Sequence, residues 1–132
     1  MAVKPENTFI AGVHKLLPPT VYHMKTNNPY VAGIPDCYYS GNGGDLWVEY
    51  KHVVKLPTKV PVPIDLSKLQ QYWLMNRHTE GRNVAVIVGH GMDGIILRAP
   101  EFNLEITAYD FRERMVSRRY IAEWIARQTT KR

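Results

Sequence analysis

The chain has 132 residues, one cysteine and a formal net charge of +5, and these values exclude several classes of protein. This length suits a single domain, over residues 1–132, that buries a core without disulfide bonds. Cys37 cannot form an internal disulfide, and no apolar run approaches the roughly 20 residues that span a bilayer. The first residues also lack a signal-peptide pattern, so we expect a cytoplasmic protein with no membrane partner. The positive charge suits a polyanion such as nucleic acid.

Hydrophobic periodicity and turn residues predict the elements along the chain. In chain order they are a helix at 6–17, a strand at 21–26, a hairpin at 34–54, an exposed proline-rich loop at 56–63, a helix at 67–79, a strand at 84–88, a strand at 95–97 and a basic amphipathic helix at 110–127. The apolar run at 84–88 is typical of a buried strand, and a right-handed crossover would place it parallel to the second hairpin strand. We therefore expect an α/β fold with a central mixed sheet of four or five strands flanked by helices.

The hairpin contains the most informative residues of the chain. Asn42-Gly43 is a strong signal for a two-residue turn, because both central residues of a type I′ turn need positive φ. With these two residues in the turn, Asp36 lies directly opposite Glu49. Like charges at opposed positions destabilise a strand pair. Lys51 lies two residues beyond Glu49 and shares its face, so two carboxylates and an ammonium gather there. The other face carries the residues predicted to enter the core, namely Cys37, Tyr39, Leu46, Val48 and Tyr50.

The charged face suits a divalent cation. Mg²⁺ prefers hard oxygen ligands and typically uses one or two carboxylates. We therefore expect Mg²⁺ or Mn²⁺ at Asp36 and Glu49. Lys51, a compact charge on a flexible stem, can position a water and neutralise charge that builds on a phosphate. The alternative is an ordinary ion pair of Lys51 with Glu49, and the position of Asp36 favours the metal site.

Two short motifs carry a resemblance to a known family. Gly33-Ile34-Pro35-Asp36 followed by Glu49-x-Lys51 resembles the PD-(D/E)xK nuclease superfamily. Within it the chain is most similar to the small stand-alone VRR-NUC group, related to Holliday junction resolvases and common in phages and bacteria. The resemblance covers about 6–88, including Glu6 and the segment Leu66-Ser67-x-x-Gln70-x-x-Trp73, and it leaves out the proline-rich loop and the C-terminal segment. It implies a restriction-endonuclease-like core.

The resemblance implies a metal-dependent DNA endonuclease that hydrolyses phosphodiester bonds, with branched DNA such as the Holliday junction as substrate. It implies Asp36, Glu49 and Lys51 as catalytic residues, Gln70 and Glu6 as supporting residues, and the backbone carbonyl of Tyr50 as a third metal ligand. Two symmetric nicks in a four-way junction imply a homodimer. A general DNA nuclease or nickase and a catalytically silent nucleic-acid-binding module of the same fold are the alternatives. A protein that binds another protein through its basic helix is a third.

Several of these residues have a second, structural interpretation. Glu6 could complement the dipole of the first helix, and Gln70 could form a capping box with Ser67. Leu69 and Trp73 are predicted core residues rather than a base-stacking surface. The apolar stripe of the last helix serves either the core or a dimer contact. Three lysines could follow a phosphate backbone or simply keep the protein soluble, namely Lys55, Lys59 and Lys68.

Overall fold

The structure, a computed structural model, describes residues 4–26 and 32–131, so the extreme N-terminus, on which the signal-peptide expectation rests, lies partly outside it. The helices are α1 (Pro5–His14), α2 (Lys68–Thr79), α3 (Ala108–Arg114) and α4 (Arg118–Thr129), with a 3₁₀ turn at Glu101–Asn103. The strands are β1 (Tyr22–Lys25), β2 (Cys37–Gly41), β3 (Gly44–His52), β4 (Val84–His90), β5 (Asp93–Leu97) and β6 (Val116–Ser117). None of the helices in these ranges is long and apolar enough to cross a membrane.

The strands form one mixed sheet in the order β1-β2-β3-β4-β5-β6. Only β3 and β4 run parallel, and α2 connects them, which confirms the predicted crossover. The α/β class is therefore confirmed, whereas the count of four or five strands is too low. The additional strand, β6, has two residues and pairs with Asp93 and Gly94 of β5. So short a strand has no sequence periodicity and is defined by its partner alone.

Helices cover both faces of the sheet. The five hairpin residues predicted to enter the core are almost fully buried, between the sheet and the helices α1 and α4. The opposite face of β4 and β5 is covered by α2, α3 and the loop that precedes α2. Glu49 lies on this second face, beside Val86 of β4. The charged face of the hairpin is thus partly closed by α2, and this closure creates the surroundings of the candidate site.

The predicted exposure of the proline-rich loop is confirmed for most of its residues and wrong for two of them. Residues 58–61 and Pro63 are exposed, whereas Leu56 and Val62 are buried in the core on the α2 face. The backbone N–H of Val62 donates to the carbonyl of Ile106 at 2.8 Å. The loop therefore contacts the core through two apolar residues and is exposed between them.

The predicted C-terminal helix at 110–127 is wrong in its continuity, since two helices occupy this region. Thr107 caps α3 by accepting from the N–H of Asp110 at 3.1 Å, and Ser117 caps α4 by accepting from the N–H of Tyr120 at 3.0 Å. Between them Met115 has an extended backbone. A serine that caps a new helix and a short strand that pairs with β5 both favour a break at this point. The apolar stripe of α4 packs in the core, through residues such as Ile121 and Ile125.

Candidate active site

The register of the hairpin is the one that the Asn-Gly turn predicts. Tyr38 lies opposite Trp47 and Cys37 opposite Val48, so the preceding residue, Asp36, lies opposite Glu49. The backbone N–H of Asp36 donates to Glu49 Oε1 at 3.1 Å. In return, the backbone N–H of Tyr50 donates to Asp36 Oδ2 at 2.9 Å. Each carboxylate is therefore fixed by the backbone of the strand that carries the other one.

Gln70 both completes the predicted capping box and contacts Glu49. Its backbone N–H donates to Ser67 Oγ at 3.1 Å, and its Oε1 accepts from the N–H of Ser67 at 3.0 Å, which completes the capping box of α2. Its Nε2 donates to Glu49 Oε2 at 2.7 Å. The capping box thus fixes the amide orientation, and only the donor end of the side chain faces the carboxylate.

Lys51 and Glu49 form an ion pair with unusual surroundings. Lys51 Nζ lies 3.8 Å from Glu49 Oε2, and the Glu49 residue is only 3% exposed. Burial, and then the negative charge of Asp36, raise the pKa of Glu49 to about 8, while Lys51 opposes this shift. A pair at the protein surface would leave the glutamate near its ordinary value. Burial and the charge of Asp36 together therefore outweigh the stabilisation that Lys51 gives to the ionised Glu49.

Glu6 lies in the first turn of α1, where its pKa depends on the charges of Asp36 and Lys51. Burial raises its pKa first, Asp36 raises it further, and Lys51 and Lys25 lower it. The structure therefore brings Glu6 close to Asp36, in addition to its place in the first turn of a helix. Pro5 begins that helix, as expected for a first-turn position.

Sequence reasoning missed Lys25. It ends β1 opposite Cys37, and the N–H of the next residue, Thr26, donates to the carbonyl of Asp36 at 2.8 Å. Lys25 Nζ also donates to Asn7 Oδ1 on α1 at 3.2 Å. The lysine therefore stands beside the site as a second cation. Nothing in its local sequence indicates this, because the pairing of β1 with β2 is a tertiary feature.

The backbone carbonyl of Tyr50 points, within the plane of the sheet, toward the neighbouring segment that carries Asp36. The N–H of Val53 donates to Gly89 of β4 at 2.8 Å, and successive residues of a strand direct their backbone groups to alternate neighbours. Tyr50 lies three positions before Val53, so its backbone N–H and carbonyl point away from β4 and toward the segment that carries Asp36. Its N–H accordingly donates to Asp36, and its carbonyl lies on the same side. This orientation suits the carbonyl for a role as a ligand.

The three predicted phosphate-binding lysines lie in two separate segments of the structure, α2 and the loop after β3. Lys68 is exposed in the first turn of α2, two residues before Gln70. Lys55 and Lys59 are exposed in the loop after β3, and Lys55 lies four residues beyond Lys51. All three are accessible to a large polyanion, and their role stays a prediction. Leu69, predicted to enter the core, is 57% exposed, whereas Trp73 is half-buried and packs against the core.

The donor set of the site fits a hard divalent cation. Within 4–26 and 32–131, no group of three or more His, Cys, Asp or Glu side chains is arranged to hold a metal ion. Mg²⁺ does not require such a group, because it uses one or two carboxylates and keeps several waters. Asp36 and Glu49 supply two carboxylates, and since burial and then the charge of Asp36 raise the pKa of Glu49, a bound cation would stabilise the ionised form of Glu49. Soft metals are disfavoured because the only thiol, Cys37, is buried on the other face.

Comparison with known proteins identifies a fold relative and no sequence relative. No family model and no curated protein matches the chain. The chain is similar in structure to Hjc from Archaeoglobus fulgidus, a Holliday junction resolvase from an archaeal hyperthermophile, with a TM-score of 0.55 and 14% sequence identity. The match covers 89% of this chain and 96% of that one. At this identity the likeness concerns the fold, which is consistent with the nuclease-like core expected from the motifs.

Proposed function

We propose that this protein is a divalent-metal-dependent DNA endonuclease of the PD-(D/E)xK type. The observation that carries the proposal is the paired arrangement of Asp36 and Glu49, with Lys51 and Gln70 bound to Glu49 Oε2. A structural ion pair needs one carboxylate and one cation. This site instead brings a second carboxylate into contact with a nearly buried first one, at a cost in free energy that a stability role does not explain.

Each residue of the site has a distinct task in the proposed reaction. Asp36, Glu49 and the carbonyl of Tyr50 would hold Mg²⁺ or Mn²⁺, which when bound supplies Lewis-acid polarisation of the scissile phosphate. Lys51 places its ammonium where negative charge develops on the phosphate oxygens. Gln70 keeps Glu49 in one rotamer through a bond that its capping box orients. Glu6, with its raised pKa, would accept a proton from the attacking water.

Branched DNA is the substrate class that we propose, with the four-way junction as the leading example. The fold relative is itself a Holliday junction resolvase, and a homodimer would provide the two symmetric cuts that such a reaction needs. Exposed Lys55, Lys59 and Lys68 would contact backbone phosphates on either side of the site. We further propose that the chain acts as a single domain in the cytoplasm.

A cleavage assay on four substrates tests the proposal. A labelled four-way junction, a flap duplex, a linear duplex and a single strand are incubated with the protein, with and without Mg²⁺. Asp36→Asn and Lys51→Ala should each lower the cleavage rate at least about a hundredfold, the effect of removing one transition-state contact. Binding measured in a chelator should change far less.

Two exposed positions away from the site provide matched controls. Asp110→Asn, in the first turn of α3, and Lys15→Ala, after α1, repeat the same chemical changes on other surfaces. Both should cut like the unmodified protein. Cleavage that persists in Asp36→Asn and Lys51→Ala would refute the proposed site, and cleavage that is lost equally in all four variants would show a non-specific effect. Equal rates on the junction and the linear duplex would favour a general nuclease.

A further inference from the structure

A row of aromatic rings runs away from the candidate site along the same face of the sheet. The centroids of Tyr38 and Trp47 are 4.7 Å apart, and those of Trp47 and Trp73 are 5.4 Å apart. Arg77 lies over the Trp73 ring at 5.8 Å from its centroid. All three rings are only partly buried. Trp47 stands two residues before Glu49 on β3, so the row begins next to the carboxylates.

Trp47 also forms one wall of a cavity of about 420 Å³ at the far end of β3. This volume falls within the roughly 300–1,000 Å³ that is typical of small-molecule pockets. The cavity is bounded by the β2–β3 turn, the end of α2 and the end of α4, with Gly43, Gly44, Trp47, Arg82, Asn83 and Gln128 among its lining. Gly44 leaves its part of the lining open, because it has no side chain and a Cβ added there would meet nothing within 4 Å.

The amide groups at the back of this cavity have a defined orientation. Arg98 Nη1 donates to Gln128 Oε1 at 3.2 Å, and Arg98 Nη2 donates to Asn83 Oδ1 at 3.1 Å. Asn83 Nδ2 donates to the same Gln128 oxygen at 3.3 Å. Since a guanidinium only donates, it fixes both amide oxygens on its own side. The Gln128 amide nitrogen makes no hydrogen bond among the described residues, and therefore keeps its donors for a ligand.

We propose that this cavity binds an unpaired nucleobase of the DNA strand that crosses the candidate active site. Base–aromatic stacking is tolerant of sequence, and Trp47 offers a partly exposed ring for it. The Gln128 amide would donate to an acceptor atom on the base edge, as side chains do when they recognise unstacked bases. Exposed Arg82 would contact the adjoining phosphate. The inference rests on the proposed nuclease function and names a feature of its substrate.

The spacing fits a nucleic-acid strand. The cavity lining on β3 extends from Trp47 to Gly44, two to five residues before Glu49, which corresponds to about 7–17 Å along the strand. The rise of stacked DNA is about 3.4 Å per nucleotide, and the base in the cavity would therefore belong to a nucleotide about two to five positions from the cleaved phosphate. Fully paired DNA offers no free base at that position. The cavity would therefore favour substrates with an unpaired base beside the cut, such as a flap or an open branch point.

An abasic scan tests this proposal in a chelator, where no cleavage occurs. A fluorescent duplex with a single-stranded flap carries one abasic site at successive positions across the branch, and affinity is measured by anisotropy at fixed salt. One position should weaken binding about tenfold, within the range for the loss of one stacked base. In Trp47→Leu the natural and abasic strands should bind equally, and in Gln128→Ala, which keeps the stacking ring, the difference should be smaller than in the unmodified protein. Gln71→Ala, a helix amide that bonds to the Leu66 carbonyl outside the cavity, should retain the difference.

The outcomes separate this proposal from the nuclease proposal. An abasic effect that is absent at every position, or that survives in both cavity variants, would overturn the cavity's role even if Asp36→Asn has lost cleavage. An abasic effect that depends on Trp47 and Gln128 in a protein that never cuts DNA would support the cavity and refute the nuclease. Thermal unfolding, monitored by circular dichroism, checks that each variant is folded. If Trp47→Leu fails to fold, Gln128→Ala, which removes a partly exposed amide, decides the test.

Discussion

Neighbouring residues of β3 differ sharply in their surroundings, because they point to opposite faces of the sheet. On the face toward α1, the polar atoms satisfy one another, since His14 Nε2 lies 2.8 Å from the Tyr39 hydroxyl, which lies 2.6 Å from the Tyr50 hydroxyl. On the face toward α2, Glu49 is 3% exposed beside a second carboxylate, and its pKa is raised to about 8. The first face stabilises the fold, whereas the second holds a buried carboxyl whose ionised form is disfavoured by burial and by the charge of Asp36.

The largest effect on stability is expected from the apolar face. Leu46 is fully buried there, and Leu46→Ala should lower the free energy of unfolding by about 2–5 kcal/mol, because it removes apolar contacts and leaves a cavity. Denaturant unfolding measures the change. Cleavage per folded molecule should stay at the level of the unmodified protein, and a selective loss of cleavage in the folded variant would contradict the division between the two faces.

The second prediction concerns the pH dependence of stability. The folded pKa of Glu49, about 8, lies above the ordinary value of 4.5, so its contribution to stability is full below pH 4.5 and is lost as the pH rises to about 8. One pKa unit corresponds to about 1.4 kcal/mol, and we expect Glu49 to account for a fall of more than about 1 kcal/mol over this window in a chelator. In Glu49→Gln this part of the fall should disappear, because glutamine does not titrate.

Glu123→Gln, at an exposed position of α4, is the matched control for the pH experiment and should unfold with the same pH profile as the unmodified protein. The measurement is the free energy of unfolding from urea titrations at several pH values. If Glu49→Gln and the unmodified protein lose stability in parallel between pH 5 and 8, the buried carboxylate is not the origin of the pH dependence.

The smallest predicted effect compares two helix caps. Ser67 caps α2 beside the site, and Thr107 caps α3, which packs on the same face of the sheet but carries no residue of the candidate site. Replacing either by alanine should lower stability by about 1 kcal/mol. Both variants should cut at the unmodified rate per folded molecule, because in Ser67→Ala the backbone N–H of residue 67 still donates to Gln70 Oε1 and keeps Gln70 Nε2 on Glu49. A fall in cleavage that occurs only in Ser67→Ala, at matched stability, would contradict this assignment of the bond that orients Gln70.

Sequence reasoning was effective where the determinants are local. The Asn42-Gly43 turn and the alternation of the flanking strands predict the register that places Asp36 opposite Glu49, and the spacing of Ser67 and Gln70 predicts the capping box. The parallel pairing of β4 with β3 follows from the general rule for strand–helix–strand connections. The turn and the capping box depend on residues that lie near one another in the chain, so a single sequence contains enough information to predict them.

The features that sequence reasoning missed depend on contacts between distant segments. Lys25 joins the site only because β1 pairs with β2, and β6 exists only through its pairing with β5. The break between α3 and α4 depends on the competition of the Ser117 cap with continued helix. The cavity amides Asn83 and Gln128 meet through an arginine of a third segment, Arg98. No local sequence pattern predicts contacts between residues of such distant segments.

Metal binding is the most direct test of the account. Calorimetric titration of Mn²⁺ into the unmodified protein should show binding that strengthens from pH 6 to pH 8, because the ion competes with the proton on Glu49. Asp36→Asn preserves the acceptor for the Tyr50 N–H but removes one charge, and it should lose most of this affinity. Equal Mn²⁺ affinity in the unmodified protein and in Asp36→Asn would contradict the central claim that these two carboxylates form a metal site.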